Sequence, residues 1–307
     1  MDMASPIVGI GELLWDIYPD GRRVAGGAPF NFAFHCHQLG HEAIMVSRVG
    51  DDELGRELRD EVKRLGLSDE HIQTDRKIPT GTVRVAVDAK GQPSYTITAP
   101  AAWDAIAWSE SLADLTRDAA AICHGTLGLR AKASRNTILK AAALKSVRGK
   151  RNGLVIYDVN LRGEMLVSED ALRLAHWIKV NDAERPMLES CIDHAMDDDP
   201  WPRTQPKMFE FLRHIGAPEG QLWLVTRGEH GADLLHAAAK ESVRGVRAQV
   251  VDTVGAGDAF TAAMVCLHRE GKPLLECARF ANRYAAKVCE HRGATPKIDR
   301  AEVDAAP

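Results

Sequence analysis

Long apolar runs are missing from this sequence, and their absence argues against a membrane-spanning helix. No stretch of the 307 residues approaches the about 20 consecutive apolar residues that cross a bilayer. The amino terminus, MDMASPIVGIGELLWD, has no basic segment ahead of its apolar residues, so it does not resemble a secretory signal. These residues instead predict a first buried strand, and no membrane partner is expected.

Excess positive charge and paired cysteines are also missing. The sequence has 39 lysines and arginines against 43 aspartates and glutamates, a net charge of −4, so nothing favours nucleic acid or an anionic membrane as a partner. The six cysteines are scattered and form no CxxC pair, which argues against a zinc site and against a disulfide framework. Reduced, buried thiols are typical of the cytoplasm, where we expect the protein to reside.

One local cluster, His35-Cys36-His37 with His41, has the residue types of a metal site. However, residues 31–39 predict a helix, on which side chains two positions apart diverge by about 200°. The cluster therefore predicts a mixed helix face rather than a metal site.

What the chain does contain is a regular alternation of short apolar segments and longer amphipathic ones. Hydrophobic residues make up 45% of the chain, enough for a large buried core. The predicted strands are 7–15, 43–49, 119–123, 154–157, 177–180 and 222–226, and the predicted helices are 52–65, 131–148, 169–176 and 205–215. This alternation predicts a doubly wound α/β fold, with a largely parallel sheet flanked by helices, in a single domain over 1–307.

Residues 80–98 depart from this alternation. They show period-2 apolar spacing on both sides of Ala89-Lys90-Gly91-Gln92, which predicts a β-hairpin. A hairpin of this size cannot bury itself in the main sheet, so we expect a small β lid built from segments at about 12–25 and 79–100. An exposed hairpin edge needs a partner, which predicts a homodimer joined through the lids.

The strongest chemical signal is DTVGAGDAF at 252–260, where two glycines, an alanine and a carboxylate precede a helix. Helix amino termini at the carboxyl ends of parallel strands offer unpaired N–H groups to anions. The small residues Gly255-Ala256-Gly257 let a phosphate approach the backbone closely. A carboxylate beside a phosphate is repulsive, so we expect Asp258 to accept a proton from an attacking hydroxyl. The alternative is that Asp258 only favours the start of the helix.

Two other nucleotide-binding motifs fail on inspection. No GxxxxGK[ST] P-loop is present in the sequence. Gly9-Ile10-Gly11 follows a predicted strand, but Leu14 occupies the position where the dinucleotide fingerprint needs glycine or alanine. An oxidoreductase is therefore disfavoured.

DTVGAGDAF resembles the carboxyl-terminal signature of the ribokinase-like (PfkB) family of sugar and nucleoside kinases. Four further elements are similar to family elements and occur in the family's order: AGGAPFNFAFHCHQLG at 25–40, VGDDELGREL at 49–58, the Asn-x-x-Glu element at 181–184, and VTRGEHGADLL at 225–235. Together the five elements cover nearly the whole chain. The resemblance implies the ribokinase-like fold, ATP as phosphate donor, Mg²⁺ and, in many members, a monovalent cation such as K⁺.

The resemblance also implies roles for individual residues. Asp258 would be the general base, the amides of Gly255, Ala256 and Gly257 the anion hole, and Arg162 a contact of the transferring phosphate. The sugar would contact Asp16, Gly26, Gly27 and Asn31. The nucleotide would contact Asn181, Thr226, Gly228, Gly231, Gly255, Gly257 and Asn282. Asn181 and Glu184 would bind Mg²⁺, and Asp252 and the Val254 carbonyl would bind K⁺. Simpler interpretations remain open for three of them: a helix cap for Asn31, a surface charge for Glu184 and a surface ion pair for Arg162.

The substrate is predicted from two stretches. GELLWDIYPDG at 11–21 resembles the fructokinase branch, and the Asp-x-Asn-x-Arg run at 158–162 is usual there, so we expect fructose to be converted to fructose 6-phosphate. The stretch 93–104 lacks the Tyr-Tyr-Arg cluster expected of 2-keto-3-deoxygluconate kinases, although Arg84 on the hairpin can substitute for it. Ribose, a nucleoside and a non-catalytic sugar-binding regulatory protein remain alternatives, the last disfavoured because Gly255, Gly257 and Asp258 are all present.

Overall fold

The computed structural model describes residues 5–87, 93–146, 153–161, 167–188, 212–236 and 239–304. Its strands are β1 Ile7–Ile10, β2 Leu14–Ile17, β3 Arg23–Gly26, β4 Ala43–Gly50, β5 Ile72–Asp75, β6 Gly81–Val87, β7 Pro93–Ile97, β8 Ala121–Gly125, β9 Leu154–Asp158, β10 Trp177–Asn181, β11 Leu222–Thr226, β12 Ala232–His236 and β13 Ala239–Val243. Its longer helices are α1 Ala28–Gln38, α2 Glu53–Arg64, α3 Glu110–Asp118, α4 Lys132–Lys145, α5 Glu169–Leu174, α6 Ala256–Arg269, α7 Leu274–Cys289 and α8 Arg300–Asp304. Within these residues, no helix is long and apolar enough to cross a membrane.

Nine strands form the main sheet, in the order β13-β12-β11-β10-β9-β8-β1-β4-β5. The pairs from β11 through to β5 are parallel, and β12 and β13 are added in antiparallel orientation at one edge. Successive strand residues face opposite ways: Ile7 of β1 belongs to the buried cluster that includes Phe30 of α1 and Phe260 of α6, and Val8 belongs to the cluster that includes Leu112 of α3. Helices therefore cover both faces, and the predicted doubly wound α/β fold is confirmed.

The predicted first strand, 7–15, is wrong as a single element. It breaks after Ile10 at Gly11, whose φ is +148°, and the chain continues as β2 in a different sheet. The two glycines of Gly9-Ile10-Gly11 allow α1 to pack onto β1, because a Cβ on Gly9 would collide with the Pro29 carbonyl oxygen and one on Gly11 would lie 2.9 Å from Pro29 Cγ. Close packing, rather than a dinucleotide, accounts for this motif.

A second, four-stranded sheet has the order β3-β2-β6-β7 and is called the lid sheet below. Strand β6 pairs with β7 in antiparallel orientation, as the hairpin prediction required, whereas its pairing with β2 is parallel. The predicted turn at 89–92 lies outside the described residues, and so does most of the predicted helix 205–215, of which residues 212–214 are helical. The remaining predicted elements are present, with ends that move by up to about three residues, as is common for elements placed from sequence.

Candidate active site

Asp258 lies in the first turn of α6, at the amino end of a helix that emerges beside the parallel strands. Gly255 is the residue that caps this helix, and its φ of +80° is in the left-handed region that favours glycine. Asp258 is buried, with 8% of its surface exposed. The Ala256 amide, predicted as part of the anion hole, instead donates a hydrogen bond to the Thr253 carbonyl at 3.3 Å. The Gly255 and Gly257 amides lie at the helix start, where N–H groups can receive an anion.

The two glycines of this turn have protein neighbours as well. A Cβ on Gly255 would lie 2.6 Å from the Cα of Ala294, and one on Gly257 would lie 2.7 Å from Nζ of Lys179. Both distances are shorter than a van der Waals contact allows. A side chain at position 257 would therefore have to displace the Lys179 ammonium group, a neighbour that the sequence did not indicate.

Asn31 donates a hydrogen bond from Nδ2 to Oδ2 of Asp258 at 2.8 Å, and both residues are buried. The alternative role of Asn31 as a helix cap is wrong, because Gly27 caps α1 and Asn31 lies within the helix. Its Oδ1 is buried without a hydrogen-bond partner among the described residues. A buried acceptor of this kind suits a ligand hydroxyl that binds next to Asp258.

Lys179 is the principal site residue that the sequence analysis missed. Its Nζ lies 3.2 Å from Oδ1 of Asp158, which ends β9, and only 7% of the lysine side chain is exposed. Burial by itself would lower the pKa of Lys179, but the nearby carboxylates of Asp158, Asp258 and Glu184 raise it above its ordinary value. The ammonium group is therefore charged. A lysine within the otherwise apolar segment WIKV was the available signal, since buried lysines are almost always paired.

Asn181 and Glu184 cap the short helical turn that follows β10. Asn181 Oδ1 accepts a hydrogen bond from Glu184 N at 2.8 Å, and Glu184 Oε2 accepts one from Asn181 N at 2.9 Å. Glu184 Oε1 accepts a third from Leu161 N at 2.9 Å. This reciprocal arrangement is a capping box. Because Glu184 is only 7% exposed, the alternative of a surface charge is wrong.

The same two side chains fit a magnesium site. Their donors are all oxygen, which a hard cation prefers, and Mg²⁺ usually keeps several waters and takes one or two carboxylates from the protein. Each oxygen of Glu184 accepts one amide hydrogen bond and retains capacity for another donor, such as a metal-bound water. These hydrogen bonds fix the orientation of the Glu184 carboxylate and leave each of its oxygens able to accept a further hydrogen bond.

The Asp252 carboxylate holds the loop that leads into α6. Its Oδ1 accepts a hydrogen bond from Val254 N at 3.1 Å, and its Oδ2 accepts one from Gly293 N at 2.9 Å. Asp252 therefore joins the loop before Gly255 to the segment after α7. Asp252 is an expected cation ligand together with the Val254 carbonyl, and both of its carboxylate oxygens have amide partners.

On the lid sheet, Asp16 and Arg84 are separated. The Asp16 carboxylate lies against Gly26, where an added Cβ would be 2.6 Å from Oδ2. Asp16 pairs with Val83 and Ile17 with Arg84 across β2 and β6, so Asp16 and Arg84 point to opposite faces of the sheet. Arg84 is also exposed. This arrangement argues against a sugar contact shared by the two side chains and favours Asp16.

Gly27 and the buried Glu12 form the junction between the lid sheet and α1. Gly27 has a φ of +119°, and an added Cβ would collide with the Glu12 carbonyl oxygen. Glu12 Oε1 accepts a hydrogen bond from Ala28 N at 3.3 Å, in the first turn of α1. Glu12 was not predicted as a site residue, although it belongs to the quoted stretch 11–21.

The expected nucleotide residues lie beyond β10, toward the antiparallel edge. Thr226 pairs with Asn181 across β11 and β10. Gly228 and Gly231 follow in a short turn, with φ of +51° and +93°. Asn282 of α7 donates from Nδ2 to the Arg244 carbonyl at 3.1 Å, which brings α7 against the segment after β13. The predicted phosphate contact Arg162 lies outside the described residues.

Comparisons with known proteins cover nearly the whole chain. The sequence model of the pfkB family carbohydrate kinases matches residues 18–301. A probable fructokinase of Arabidopsis thaliana, fructokinase-7, is 29% identical over 324 residues, covering 97% of this chain and 90% of the plant protein.

Solved structures show the same fold. An uncharacterized sugar kinase from Pyrococcus horikoshii superposes with a TM-score of 0.79 at 26% identity, covering 97% of this chain and 96% of that one. A fructokinase from Xylella fastidiosa with bound ATP superposes with a TM-score of 0.82 at 22% identity, covering 98% and 97%. At 22% identity, the similarity to the Xylella fastidiosa structure concerns the fold alone.

Proposed function

The chain belongs to the pfkB family of carbohydrate kinases, and we propose that it transfers the γ-phosphoryl group of ATP to the 6-hydroxyl of fructose. The observation that carries the proposal is the buried Asp258, which is hydrogen-bonded to Asn31 and lies at the amino end of α6. A base in this position can take a hydroxyl proton beside an anion-binding turn. The fructokinase-like relative and the stretch 11–21 support fructose as the acceptor.

In the proposed reaction, Asp258 accepts the proton of the acceptor hydroxyl as its oxygen attacks the γ-phosphorus of ATP. A new oxygen–phosphorus bond forms, the bond to the β,γ-bridging oxygen breaks, and ADP leaves. The Gly255 and Gly257 amides and the positive end of α6 stabilise charge on the transferred group. Asn181 and Glu184 would hold Mg²⁺, which would neutralise phosphate charge when bound with the nucleotide.

The sugar is expected to lie between the lid sheet and Asp258. Asp16 accepts hydrogen bonds from sugar hydroxyls, Gly26 and Gly27 provide close backbone approach, and Asn31 Oδ1 accepts from a hydroxyl. The nucleotide is expected along Thr226, Gly228, Gly231 and Asn282. We further propose K⁺ at Asp252 and the Val254 carbonyl, which turnover in K⁺ compared with choline buffer would test.

A coupled assay of ADP release across fructose, ribose, 2-keto-3-deoxygluconate and adenosine tests the substrate, with NMR of the product to identify the phosphorylated hydroxyl. We expect the highest kcat/KM with fructose. A much higher kcat/KM for another acceptor would overturn fructose and leave the kinase assignment intact. Absence of turnover with all sugars would favour the non-catalytic sugar-binding alternative.

A homodimer is the proposed assembly, because β3 and β7 form the edges of the lid sheet and edge strands have unpaired backbone groups. Light scattering on the purified protein tests it. A monomer at all concentrations would overturn this part alone.

A further inference from the structure

The segment from Gly50 to Gly55 forms a socket around Thr80, the residue immediately before β6. Asp52 Oδ2 accepts a hydrogen bond from Thr80 N at 2.8 Å, and Asp52 Oδ1 accepts one from Thr80 Oγ1 at 2.6 Å. Thr80 Oγ1 in turn accepts from Gly50 N at 2.9 Å. Thr80 is 3% exposed, so these hydrogen bonds are shielded from water.

Both glycines of the Gly-Asp-Asp-Glu-Leu-Gly segment are required by this close fit. A Cβ on Gly50 would lie 2.6 Å from Thr80 N. A Cβ on Gly55 would lie 2.8 Å from Thr80 Oγ1 and would collide with the Gly50 carbonyl oxygen. The motif that the sequence analysis could only match to a family element therefore has a physical purpose, which is to enclose a threonine at the base of the lid sheet.

The socket is also electrostatically strong. Asp52 caps α2, where its Oδ1 accepts from Gly55 N at 2.8 Å. Burial alone would raise the pKa of Asp52, but the hydrogen bonds from Thr80 and Gly55 and the Arg56 guanidinium hold it below its ordinary value. The hydrogen bonds to Thr80 are therefore charge-assisted, and such bonds are about twice as strong as neutral ones.

A second lid strand is attached at the same place. Trp15 of β2 donates from Nε1 to the carbonyl of Leu54, inside the socket, at 3.0 Å. In the lid sheet Trp15 pairs with Thr82, and the next residue, Asp16, pairs with Val83. The two central strands of the lid sheet, one of which carries Asp16, are thus both anchored to residues 50–55.

We propose that this socket seats the lid sheet, and that Asp52, Thr80 and Trp15 are positioning residues that set the location of Asp16 relative to the sugar. The proposal rests on the proposed function, because it assigns the sugar to Asp16. Loss of the hydrogen bonds between the socket and the lid sheet should weaken sugar use and leave nucleotide binding nearly unchanged. The expected nucleotide residues lie on β10, on β11 and the turn after it, at the start of α6 and on α7, and none of them belongs to the lid sheet.

The decisive comparison is Thr80→Val against Thr80→Ser. Valine keeps the shape of threonine but loses the hydroxyl donor and acceptor, whereas serine keeps both. We expect Thr80→Val to raise the KM for fructose about 10- to 100-fold, in line with the loss of hydrogen bonds to a charged group. The KM for ATP should change less than twofold, and Thr80→Ser should resemble the wild type. Ser109→Ala is the control for a lost helix cap, since Ser109 Oγ accepts from Leu112 N on α3, away from the lid sheet.

Hydrogen exchange without any ligand tests, independently of the sugar, whether the socket holds the lid sheet. We expect faster amide exchange at 14–17 and 81–87 in Thr80→Val than in the wild type, with no such change in Ser109→Ala. If Thr80→Val does not fold, Trp15→Phe gives the same test. This variant removes part of the ring and the N–H group that donates to the Leu54 carbonyl. Wild-type lid exchange and wild-type fructose KM in a folded variant would overturn the proposal. If the wild type itself phosphorylates no sugar, the proposed function fails, and the exchange measurement still decides the seat.

Discussion

Asn31 and Asp258 are 227 positions apart in the sequence, yet the Asn31 Nδ2 amide lies 2.8 Å from Oδ2 of Asp258 and donates a hydrogen bond to it. The bond joins α1 to the start of α6 and directs one side of the Asp258 carboxylate. Asn31 Oδ1 is also buried and has no hydrogen-bond partner among the described residues, so it can accept a hydrogen bond from a substrate hydroxyl.

Replacing Asn31 by alanine should lower kcat/KM for the sugar about 10- to 100-fold, because a hydrogen bond to a charged group contributes about 1.5–3 kcal/mol. Steady-state kinetics with varied sugar measure this effect, and the KM for ATP should stay nearly constant. Asn136→Ala, on the exposed surface of α4, is the matched control. Unchanged sugar kinetics in folded Asn31→Ala would remove Asn31 from the site.

Asp258→Asn should reduce kcat by about 10²–10⁴-fold, because it removes the general base and keeps the size of the side chain. Nucleotide binding, measured by calorimetry, should persist. If Asp258 served only the helix start, asparagine would cost little, since it caps a helix about as well as aspartate. Asp114→Asn, at an exposed position of α3, is the control, and near-normal turnover of Asp258→Asn would contradict the mechanism.

Lys179→Met should lower both stability and turnover. The variant leaves the buried Asp158 without its cation, and breaking a buried pair in this way costs about 3–5 kcal/mol. The double variant Lys179→Met with Asp158→Asn should recover much of the stability in urea denaturation, but not the lost kcat. Recovery of both would make Lys179 a purely structural residue.

The pH dependence of kcat/KM gives a second measurement, made on the Lys179→Met variant alone, because Asp158→Asn also removes a negative charge around Lys179. A carboxylate that loses a nearby cation becomes protonated at a higher pH, and Asp258 is one of the carboxylates around Lys179. We therefore expect the acidic limb of the profile to move to higher pH than in the wild type. An unmoved limb would show that the charge of Lys179 does not act on the base.

His35 should make the protein less stable as the pH falls below neutrality. Its Nε2 donates a hydrogen bond to the Ala294 carbonyl at 2.9 Å, and its Nδ1 accepts one from Tyr284 Oη at 3.0 Å. Burial lowers the pKa of His35 from 6.5 to about 4. The unfolded chain then binds a proton that the folded one does not, so stability present above pH 6.5 is lost as the pH falls toward 4.

Urea denaturation at pH 7 and pH 4.5 measures this loss, which is about 2–3 kcal/mol for one such histidine. His35→Gln should be less stable than the wild type at pH 7 and show a weaker pH dependence. His37→Gln, at an exposed position of the same helix, should retain the wild-type pH dependence. Equal slopes for wild type and His35→Gln would contradict the assignment.

Several features could be predicted from the sequence because they depend on neighbours along the chain. The alternation of apolar and amphipathic segments predicted the doubly wound sheet, because a strand buried on both faces is recognisable from its own continuous apolar side chains. The Gly255-Ala256-Gly257-Asp258 run predicted an anion-binding turn with a carboxylate, because helix starts and glycine turns are local structures. The break at Gly11 was missed, because an apolar run does not reveal to which sheet each half belongs.

By itself, then, the sequence determined the fold class, the lid hairpin and the candidate base, all of which follow from local periodicity and turn chemistry. Only the tertiary structure decided that Asn31 of α1 reaches that base and that Lys179 of β10 packs against Gly257, the residue before it. It also placed Thr80 in the socket of residues 50–55 and set Arg84 on the face opposite Asp16. These pairings depend on strand order, register and the close approach of helices to the sheet, and no local pattern specifies contacts between residues that packing alone brings together.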